Sequence, residues 1–165
     1  MQIIGIDAST KSFGISLFQD NKLIAYDCFT ASSTDLIKRI QKIINELDNF
    51  LSQYPLVEKI IMEEVLPEKN LTNIKTHKAL MYMQAAVIFL IHEKYPKINI
   101  EFMYPGTWRS KCGIRLGRGI KREKQKELDI QFVKEKYNIN VNDDIADAIG
   151  IATSYFIKDE EKIEF

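Results

Sequence analysis

The first apolar run of the chain is short, rich in β-branched residues and ends in a carboxylate. Ile3, Ile4 and Ile6 surround Gly5, and Asp7 follows them directly. Such a run predicts a strand buried on both faces, and its glycine predicts either the close approach of another backbone or a local kink. A carboxylate at the tip of this strand needs a partner, because burying it alone would be strongly unfavourable. The alternative is an ordinary turn or helix-capping role for Asp7.

The rest of the chain alternates strand and helix patterns around this first strand. Predicted strands cover residues 3–6, 13–18, 23–26, 59–63 and 98–103. Predicted helices cover residues 36–51 and 73–94, begin again after residue 121, and open a last time near residue 144. A hairpin followed by strand–helix–strand alternation predicts an α/β fold, in which a five-stranded mixed sheet is flanked by helices.

Composition favours a single soluble domain. The chain has 165 residues, of which 45% are apolar and 28% charged, and this suits one core. We predict one domain over residues 1–158 and an acidic tail over residues 159–165. We expect no membrane association and a cytoplasmic location, because no apolar run is long enough for a membrane helix and the start lacks a basic flank. Cys28 and Cys112 are predicted to be reduced thiols with no disulfide partner.

Further carboxylates lie where they can join Asp7. Glu63 ends the fourth predicted strand, and strand alternation sends the adjacent Glu64 to the opposite face. Asp144 and Asp147 are three residues apart and therefore share one face of a helix, where they repel each other unless a cation lies between them. Helix capping explains Asp143 or Asp144, but it does not explain Asp147 among apolar neighbours. The sequence thus predicts an acidic cluster.

Positive charge is concentrated in one stretch, although the formal net charge of the chain is +0. Residues 109–126 hold eight basic residues and one acidic residue, a net charge of +7, so the remainder carries −7. Gly113, Gly117 and Gly119 within this stretch predict a mobile loop whose side chains reach phosphates. A merely solvated basic surface is the alternative. The basic residues are Arg109, Lys111, Arg115, Arg118, Lys121, Arg122, Lys124 and Lys126.

These motifs, in this order, resemble the ribonuclease H-like nucleases and, among them, the RuvC family of Holliday-junction resolvases. Ile4-Gly5-Ile6-Asp7 resembles that family's first catalytic strand. Glu63-Glu64-Val65 followed by Lys69-Asn70 is similar to its second-acid stretch, which makes Glu63 the implied acid. Asp144-Ile145-Ala146-Asp147-Ala148 matches its final acid pair. The short chain, rich in Lys, Ile and Asn, most resembles the phage-encoded members.

The resemblance implies a crossover junction endodeoxyribonuclease that hydrolyses branched DNA to 5′-phosphate ends. Its implied cofactor is Mg²⁺, with Mn²⁺ as a substitute and two ions per site. The implied metal ligands and catalytic acids are Asp7, Glu63, Asp144 and Asp147. Lys124 is an implied catalytic residue, and either Lys124 or Arg109 would stabilise the charge that builds on the phosphate. The implied DNA-binding residues are Arg109, Lys111, Arg115, Arg118, Lys121, Arg122 and Leu66.

The chain departs from the family pattern at two places. Ala8-Ser9 stands where members usually have Pro-Gly after the first acid, and Leu66 stands where they stack an aromatic side chain on junction bases. Both departures favour cutting of three-way branches as well as four-way junctions. Three alternatives remain: a ribonuclease H acting on RNA–DNA hybrids, a non-catalytic nucleic-acid-binding module, and an actin-like or sugar-kinase ATPase, for which 7 glycines leave no second phosphate loop.

A homodimer is expected, because a four-way junction offers two symmetric strands to two copies of one active site. The helix predicted over residues 73–94 offers the surface, since its apolar residues cover more than one narrow stripe. Those residues include Met81, Met83, Val87 and Leu90, with Met83 taken as outward-facing. The alternative is that a neighbouring helix covers the second side.

Overall fold

The computed structural model describes residues 1–66, 73–115, 117 and 119–157. The predicted acidic tail over residues 159–165 lies outside the described residues, as do Lys69, Asn70 and Arg118. In the described part of the chain, no helix is both long and apolar enough to cross a membrane. Cys28 and Cys112 are free thiols, and burial raises the pKa of Cys112 to about 12.

The predicted five-stranded mixed sheet is confirmed. Its strands are β1 (Gln2–Asp7), β2 (Ser12–Gln19), β3 (Lys22–Thr30), β4 (Val57–Glu63) and β5 (Asn99–Met103), in the spatial order β3-β2-β1-β4-β5. The first three strands form an antiparallel meander, and β1, β4 and β5 run parallel. The strand β1 therefore lies at the centre of the sheet, with neighbours on both sides.

Helices cover both faces of the sheet. They are α1 (Leu36–Gln53), α2 (Ile74–Lys94), α3 (Pro105–Lys111), α4 (Arg122–Tyr137) and α5 (Asp143–Phe156). The helices α1 and α2 pack on one face, and α3, α4 and α5 pack on the other. This three-layer arrangement buries a core on each side of the sheet.

The basic stretch is more ordered than predicted. Arg109 and Lys111 belong to α3 rather than to the predicted mobile loop, whereas α4 begins at Arg122, as predicted. The helix α3 begins at Pro105, whose fixed φ suits the first turn of a helix. Between α3 and α4, Gly113 and Gly119 adopt positive φ values of 75° and 72°, which glycine tolerates best.

Alternation along β1 divides its residues between the two cores. Ile4 and Ile6 face α1 and α2, whereas Ile3 and Gly5 face the layer that contains α5. A Cβ on Gly5 would lie 2.2 Å from the carbonyl oxygen of Ala148, so the predicted close approach of another backbone is confirmed. Gly14 allows the same close approach of the α5 backbone to β2, because a Cβ there would lie 2.0 Å from the carbonyl oxygen of Asp144. The start of α5 is thereby held tightly against the two central strands.

The outward face of α2 differs from the predicted one. Met83 is fully buried, and Val87 and Leu90 join it in the core, so the expectation that Met83 points outward is wrong. Met81 and Phe89 are instead exposed, at 50% and 69%. Because α2 is apolar all round, hydrophobic periodicity alone did not distinguish its two faces.

Candidate active site

Two carboxylates meet where the central parallel strands end. Ile6 of β1 pairs with Met62 of β4, so the next residues, Asp7 and Glu63, end neighbouring strands at the same edge of the sheet. Ile61 packs with Trp108 on the side of the sheet that α5 covers, and Glu63 lies two residues further along the same strand face. Strand alternation therefore directs Asp7 and Glu63 toward the same layer of helices.

The first turns of α5 bring two more carboxylates to this edge. Asn142 caps the helix by accepting a hydrogen bond from the backbone N–H of Ile145 at 2.9 Å, so neither Asp143 nor Asp144 is the cap that the sequence suggested. Ser16 Oγ donates to the carbonyl oxygen of Ala148 at 2.8 Å and fixes the helix on the sheet. This placement of α5 turns Asp144 and Asp147 toward the strand ends.

All four predicted acids line one cleft. Its volume is about 650 Å³, and it lies at the carboxyl ends of β1 and β4. The residues that surround it are Asp7, Ala8, Ser9, Glu63, Glu64, Val65, Leu66, Asn73, Thr76, His77, Leu80, Pro105, Arg109, Arg122, Gln125, Lys126, Asp143, Asp144 and Asp147. The structure therefore brings together the carboxylates that the sequence placed on two strands and one helix. Glu64, predicted to turn to the opposite face, also lines this cleft, because β4 ends at Glu63 and strand alternation no longer applies.

Crowding of negative charge perturbs these acids. Burial, and next the charges of Glu63 and Asp144, raise the pKa of Asp7 well above its usual value. Burial also raises the pKa of Asp144, although a hydrogen bond from Ser12 Oγ opposes the shift. The cluster consequently favours any bound cation that lets these acids ionise.

Asp147 is the most strongly perturbed of the acids on α5. Burial, followed by the charge of Asp7, raises its pKa to about 9. One carboxylate oxygen, Oδ2, accepts a hydrogen bond from Arg109 Nη2 at 3.1 Å. The other, Oδ1, is buried and has no hydrogen-bond partner among the described residues. A buried carboxylate oxygen without a partner is a site prepared for a ligand that the protein itself does not supply.

Arg109 is a buried cation beneath the acidic cluster. Its side chain is 5% exposed, and it pairs with Asp129 of α4 through Nε–Oδ2 and Nη2–Oδ2 distances of 3.0 and 2.9 Å. Its Nη1 lies 3.9 Å from Glu63 Oε2. With its amide turned to present the oxygen, Gln125 also accepts from Nη2 at 3.0 Å. Arg109 therefore contacts carboxylates inside the protein while also lining the cleft, and its predicted contact with DNA stays a prediction.

Glu63 is held by an aromatic donor. Trp108 Nε1 donates to Glu63 Oε2 at 2.7 Å, and Gln84 Nε2 donates to the backbone oxygen of Glu63 at the same distance. Burial raises the pKa of Glu63, against the effect of the Trp108 hydrogen bond. Trp108 itself is fully buried against Gly150, where a Cβ would lie 2.4 Å from the ring. Gly150 on α5 thus leaves room for the Trp108 ring, and Trp108 in turn orients Glu63 on β4.

The donor set suits a divalent metal ion in chemical terms. Carboxylate oxygens are the ligands that Mg²⁺ and Mn²⁺ favour, and Asp147 Oδ1 offers a buried oxygen without a partner. In the present side-chain arrangement, Glu63 turns to Trp108 and Asp147 turns to Arg109. Accordingly, within the described residues no group of three acidic, His or Cys side chains is arranged to hold one ion.

The remaining predicted site residues divide between the cleft wall and the surface around it. Lys124 is exposed and pairs with Glu127 at 2.9 Å, outside the residues that line the cleft. Arg115 and Lys121 are also exposed, and Lys111 is half-buried in α3. Arg122 and Leu66 line the cleft wall, and Leu66 is 51% exposed. Arg118 lies outside the described residues.

Sequence reasoning missed three residues that support the acids: Ser12, Trp108 and Asp129. Asp129 carried a usable signal, because it precedes Val133 by four residues and so places a carboxylate on the apolar face of α4. An acid on a buried helix face indicates an internal cation. Ser12 and Trp108 carried no such signal, since their partners are distant in sequence.

Comparison with known proteins decides the family. The sequence model of the family "Crossover junction endodeoxyribonuclease RuvC" matches residues 3–155. The chain belongs to the RuvC family. A curated member, RuvC of Dictyoglomus thermophilum, is 27% identical over 97% of this chain and 99% of its own length. The prediction of a RuvC-family junction endonuclease is therefore confirmed.

Solved structures agree with this assignment at the level of the fold. T. thermophilus RuvC in complex with Holliday junction substrate superposes with a TM-score of 0.73 at 15% identity, covering 93% of this chain and 92% of that one. The fowlpox virus resolvase, also solved with Holliday junction DNA, gives a TM-score of 0.56 at 16% identity, with 93% and 97% covered. The predicted ribonuclease H-like fold is confirmed. RuvC-family nucleases are metal-dependent, in keeping with the acidic cluster.

Proposed function

We propose that this chain cuts branched DNA by phosphodiester hydrolysis in the cleft at the ends of β1 and β4. The observation that carries the proposal is the convergence of Asp7, Glu63, Asp144 and Asp147 on one cleft, with Asp147 Oδ1 buried and lacking a partner. A non-catalytic binding module gives no reason to bury three of these acids beside one another. Family membership, the residue types and their placement all support a nuclease.

The four acids are the proposed ligands of Mg²⁺, for which Mn²⁺ would substitute, with two ions per site. Asp7 is the central ligand, Glu63 and Asp147 flank it, and Asp144 completes the set or orients water, with Asp143 beside it on the cleft wall. When bound, a pair of divalent ions polarises the scissile phosphate and activates the attacking water. Arg109 occupies one oxygen of Asp147, Oδ2, and leaves the other, Oδ1, without a partner among the described residues.

The DNA-facing surface is proposed to extend from the cleft along the start of α4. Arg122 lines the cleft, and Lys121, Arg115 and Lys124 are exposed close to it in sequence. Cations at these positions would neutralise backbone phosphates of the arms of a junction. Lys124 remains a proposed phosphate contact, and Leu66 is a proposed apolar contact for a base at the branch point.

The proposed substrates include three-way branches as well as four-way junctions. Leu66 offers a branched apolar side chain in place of a flat stacking surface, which supports a less selective grip on the branch point. Together with the short, Lys-, Ile- and Asn-rich chain, it also supports a place among the phage-encoded members. A bacterial or phage-infected cytoplasm is the proposed location, since branched DNA is found there.

We also propose that the chain acts as a homodimer through the outward face of α2. Met81, Ala85 and Ile88 follow one another at spacings of four and three residues, as in a helix-pairing seam. Ile74 lies seven residues before Met81, and all four side chains are exposed. Tyr82 and Phe89, which are 52% and 69% exposed, widen this apolar face. A second copy of the same helix would cover it and would bring two active sites to one junction.

A substrate panel tests the proposed activity. A four-way junction, a three-way branch, a linear duplex and an RNA–DNA hybrid of matched sequence are incubated with the protein and Mg²⁺, and the product ends are analysed. We expect both branched DNAs to be cut to 5′-phosphate ends, and the linear duplex to persist. Preferential cutting of the hybrid would favour a ribonuclease H instead. Tight binding of branched DNA without any cutting would indicate a binding module.

A further inference from the structure

Asp129 is a charged residue with no exposure to solvent. Its side chain is 0% exposed, and the carboxylate receives hydrogen bonds from Arg109 Nε and Nη2 at distances between 2.9 and 3.2 Å. Unlike Arg109 and Asp147, it is not among the residues that line the cleft of acids. A buried ion pair of this kind is retained at a cost in desolvation, so its presence calls for a role besides stability.

Arg109 lies between two sets of carboxylates. On one side it is bound by Asp129, and on the other its Nη2 contacts Asp147 at 3.1 Å and its Nη1 approaches Glu63 Oε2 to 3.9 Å. Burial alone would lower the pKa of Arg109, but the hydrogen bond to Asp129 and the charges of Asp147, Asp129 and Glu63 raise it. The guanidinium thus remains charged directly beneath the proposed metal ligands.

A cation in that position competes with a metal ion for the same carboxylates. The guanidinium competes least when another carboxylate already neutralises its charge. Asp129 provides that carboxylate, because it accepts hydrogen bonds from both Nε and Nη2 of Arg109. Without Asp129, the guanidinium would have Asp147 and Glu63 as its remaining carboxylate neighbours. It would then neutralise the cluster that has to attract the metal ion.

We propose that Asp129 is a positioning residue for this nuclease: by pairing with Arg109 it anchors the guanidinium under Asp147 and prevents it from competing with the divalent metal for the acids of the cleft. The inference rests on the proposed metal site. It differs from that proposal because it concerns a residue that contacts neither metal nor DNA. The pair acts through the electrostatic potential of the cleft.

Mn²⁺ binding to the DNA-free protein, measured by titration calorimetry, tests the inference without relying on cleavage. Asp129→Asn keeps the size of the side chain and removes its charge, and we expect it to weaken Mn²⁺ binding by about tenfold, as removal of outer-shell partners of metal ligands does. Asp129→Glu should recover part of the loss. Glu135→Gln, an exposed acid on the same helix, is the matched control and should bind Mn²⁺ as the wild type does.

A double variant separates competition by charge from simple distortion. Adding Arg109→Met to Asp129→Asn removes the competing cation, so Mn²⁺ affinity should return to within about threefold of wild type while cleavage stays impaired. This double variant also serves if Asp129→Asn alone fails to fold, because replacing a buried ion pair as a unit is tolerated better than breaking it. Wild-type affinity in Asp129→Asn, or a double variant that binds Mn²⁺ as weakly as the single one, would overturn the inference.

Asp7→Asn distinguishes failure of the inference from failure of the proposed site. We expect Asp7→Asn to lose most Mn²⁺ affinity, because Asp7 is the central proposed ligand. If it does, and Asp129→Asn binds Mn²⁺ normally, the inference fails alone and the site stands. If Asp7→Asn binds Mn²⁺ as the wild type does, the proposed site is wrong and the inference falls with it.

Discussion

Trp108 donates its indole N–H to Glu63 Oε2 at 2.7 Å, from a ring that is fully buried between the sheet and α5. The bond ties the side chain at the end of β4 to the first helix after β5, so the acid is oriented by an element 45 residues away in sequence. Glu63 is therefore held in one rotamer before any ligand arrives. Its other oxygen, Oε1, takes no part in this bond.

Trp108→Phe should reduce the cleavage rate while leaving the fold intact. Phenylalanine keeps an aromatic ring against Gly150 but cannot donate a hydrogen bond, so Glu63 would lose its fixed orientation. We expect the rate of junction cleavage at saturating DNA to fall by about tenfold, in line with other residues that orient metal ligands. Single-turnover kinetics measure the effect, and junction affinity in EDTA serves as the control. A rate equal to that of wild type would mean that the bond does not matter for cutting.

The pKa of Asp147 makes the stability of the metal-free protein depend on pH. The fold raises this pKa from 3.8 to about 9, so the folded state holds the proton more tightly than the unfolded state does. The stabilisation is fully present below the lower value and is lost as pH rises through the upper one. In EDTA, the melting temperature should fall between neutral pH and pH 9, and Asp147→Asn should flatten this fall.

Two controls accompany this measurement. Glu135→Gln, an exposed substitution on α4, should keep the wild-type pH dependence. Added Mn²⁺ should raise the melting temperature most at alkaline pH, because ionised carboxylates bind the ion. A melting temperature of the Asp147→Asn protein that falls as steeply as that of wild type would assign the pH dependence to other groups.

Phe89→Glu should dissociate the proposed dimer. Phe89 is 69% exposed on the outward face of α2, and a carboxylate there would be buried against its symmetry mate. Sedimentation of the DNA-free protein should change from dimer to monomer, and junctions should receive single nicks instead of paired cuts. Leu56→Glu is the matched control, since Leu56 is equally exposed at 69% but lies outside α2. A wild-type protein that sediments as a monomer of about 19 kDa would contradict the dimer.

Lys121 and Arg122 should contribute to the salt dependence of junction binding. Both are exposed at the start of α4, and Arg122 lines the cleft. Replacing both with alanine should reduce the slope of log affinity against log salt by about 2, roughly 1 for each lost phosphate contact. The control replaces Lys22 and Lys97, two exposed lysines toward the opposite edge of the sheet. Equal slopes in the two double variants would place the DNA elsewhere.

Much of the site could be predicted from local sequence patterns. The buried strand that ends in Asp7 and the three-residue spacing of Asp144 and Asp147 each follow from the geometry of one element. Strand alternation did not separate Glu64 from Glu63, because β4 ends at Glu63 and both residues line the cleft. The sequence order of these elements was enough to predict the sheet. Such features need no knowledge of how distant segments pack.

Features that depend on packing between elements were not predictable in the same way. Asp129 and Arg109 are 20 residues apart, and neither residue alone shows that the other neutralises it. The outward face of α2 was wrongly assigned at Met83 because the helix is apolar on both sides, so burial depends on where α1 and the sheet lie. The start of α3 was missed because the glycines and basic residues that follow it have the composition of a loop.

The most direct test of the proposed active site is cleavage of a four-way junction by Asp7→Asn in Mg²⁺, with junction binding measured in parallel. Asp7 lies among Glu63, Asp144 and Asp147, and asparagine keeps its shape while removing one charge from the proposed metal site. Asp27→Asn, the same change at an exposed position on β3, is the control and should cut normally. We predict that Asp7→Asn binds the junction like wild type and does not cut it. Cutting by Asp7→Asn within about tenfold of the wild-type rate, a difference of only about 1.4 kcal/mol in barrier, would contradict the proposed site.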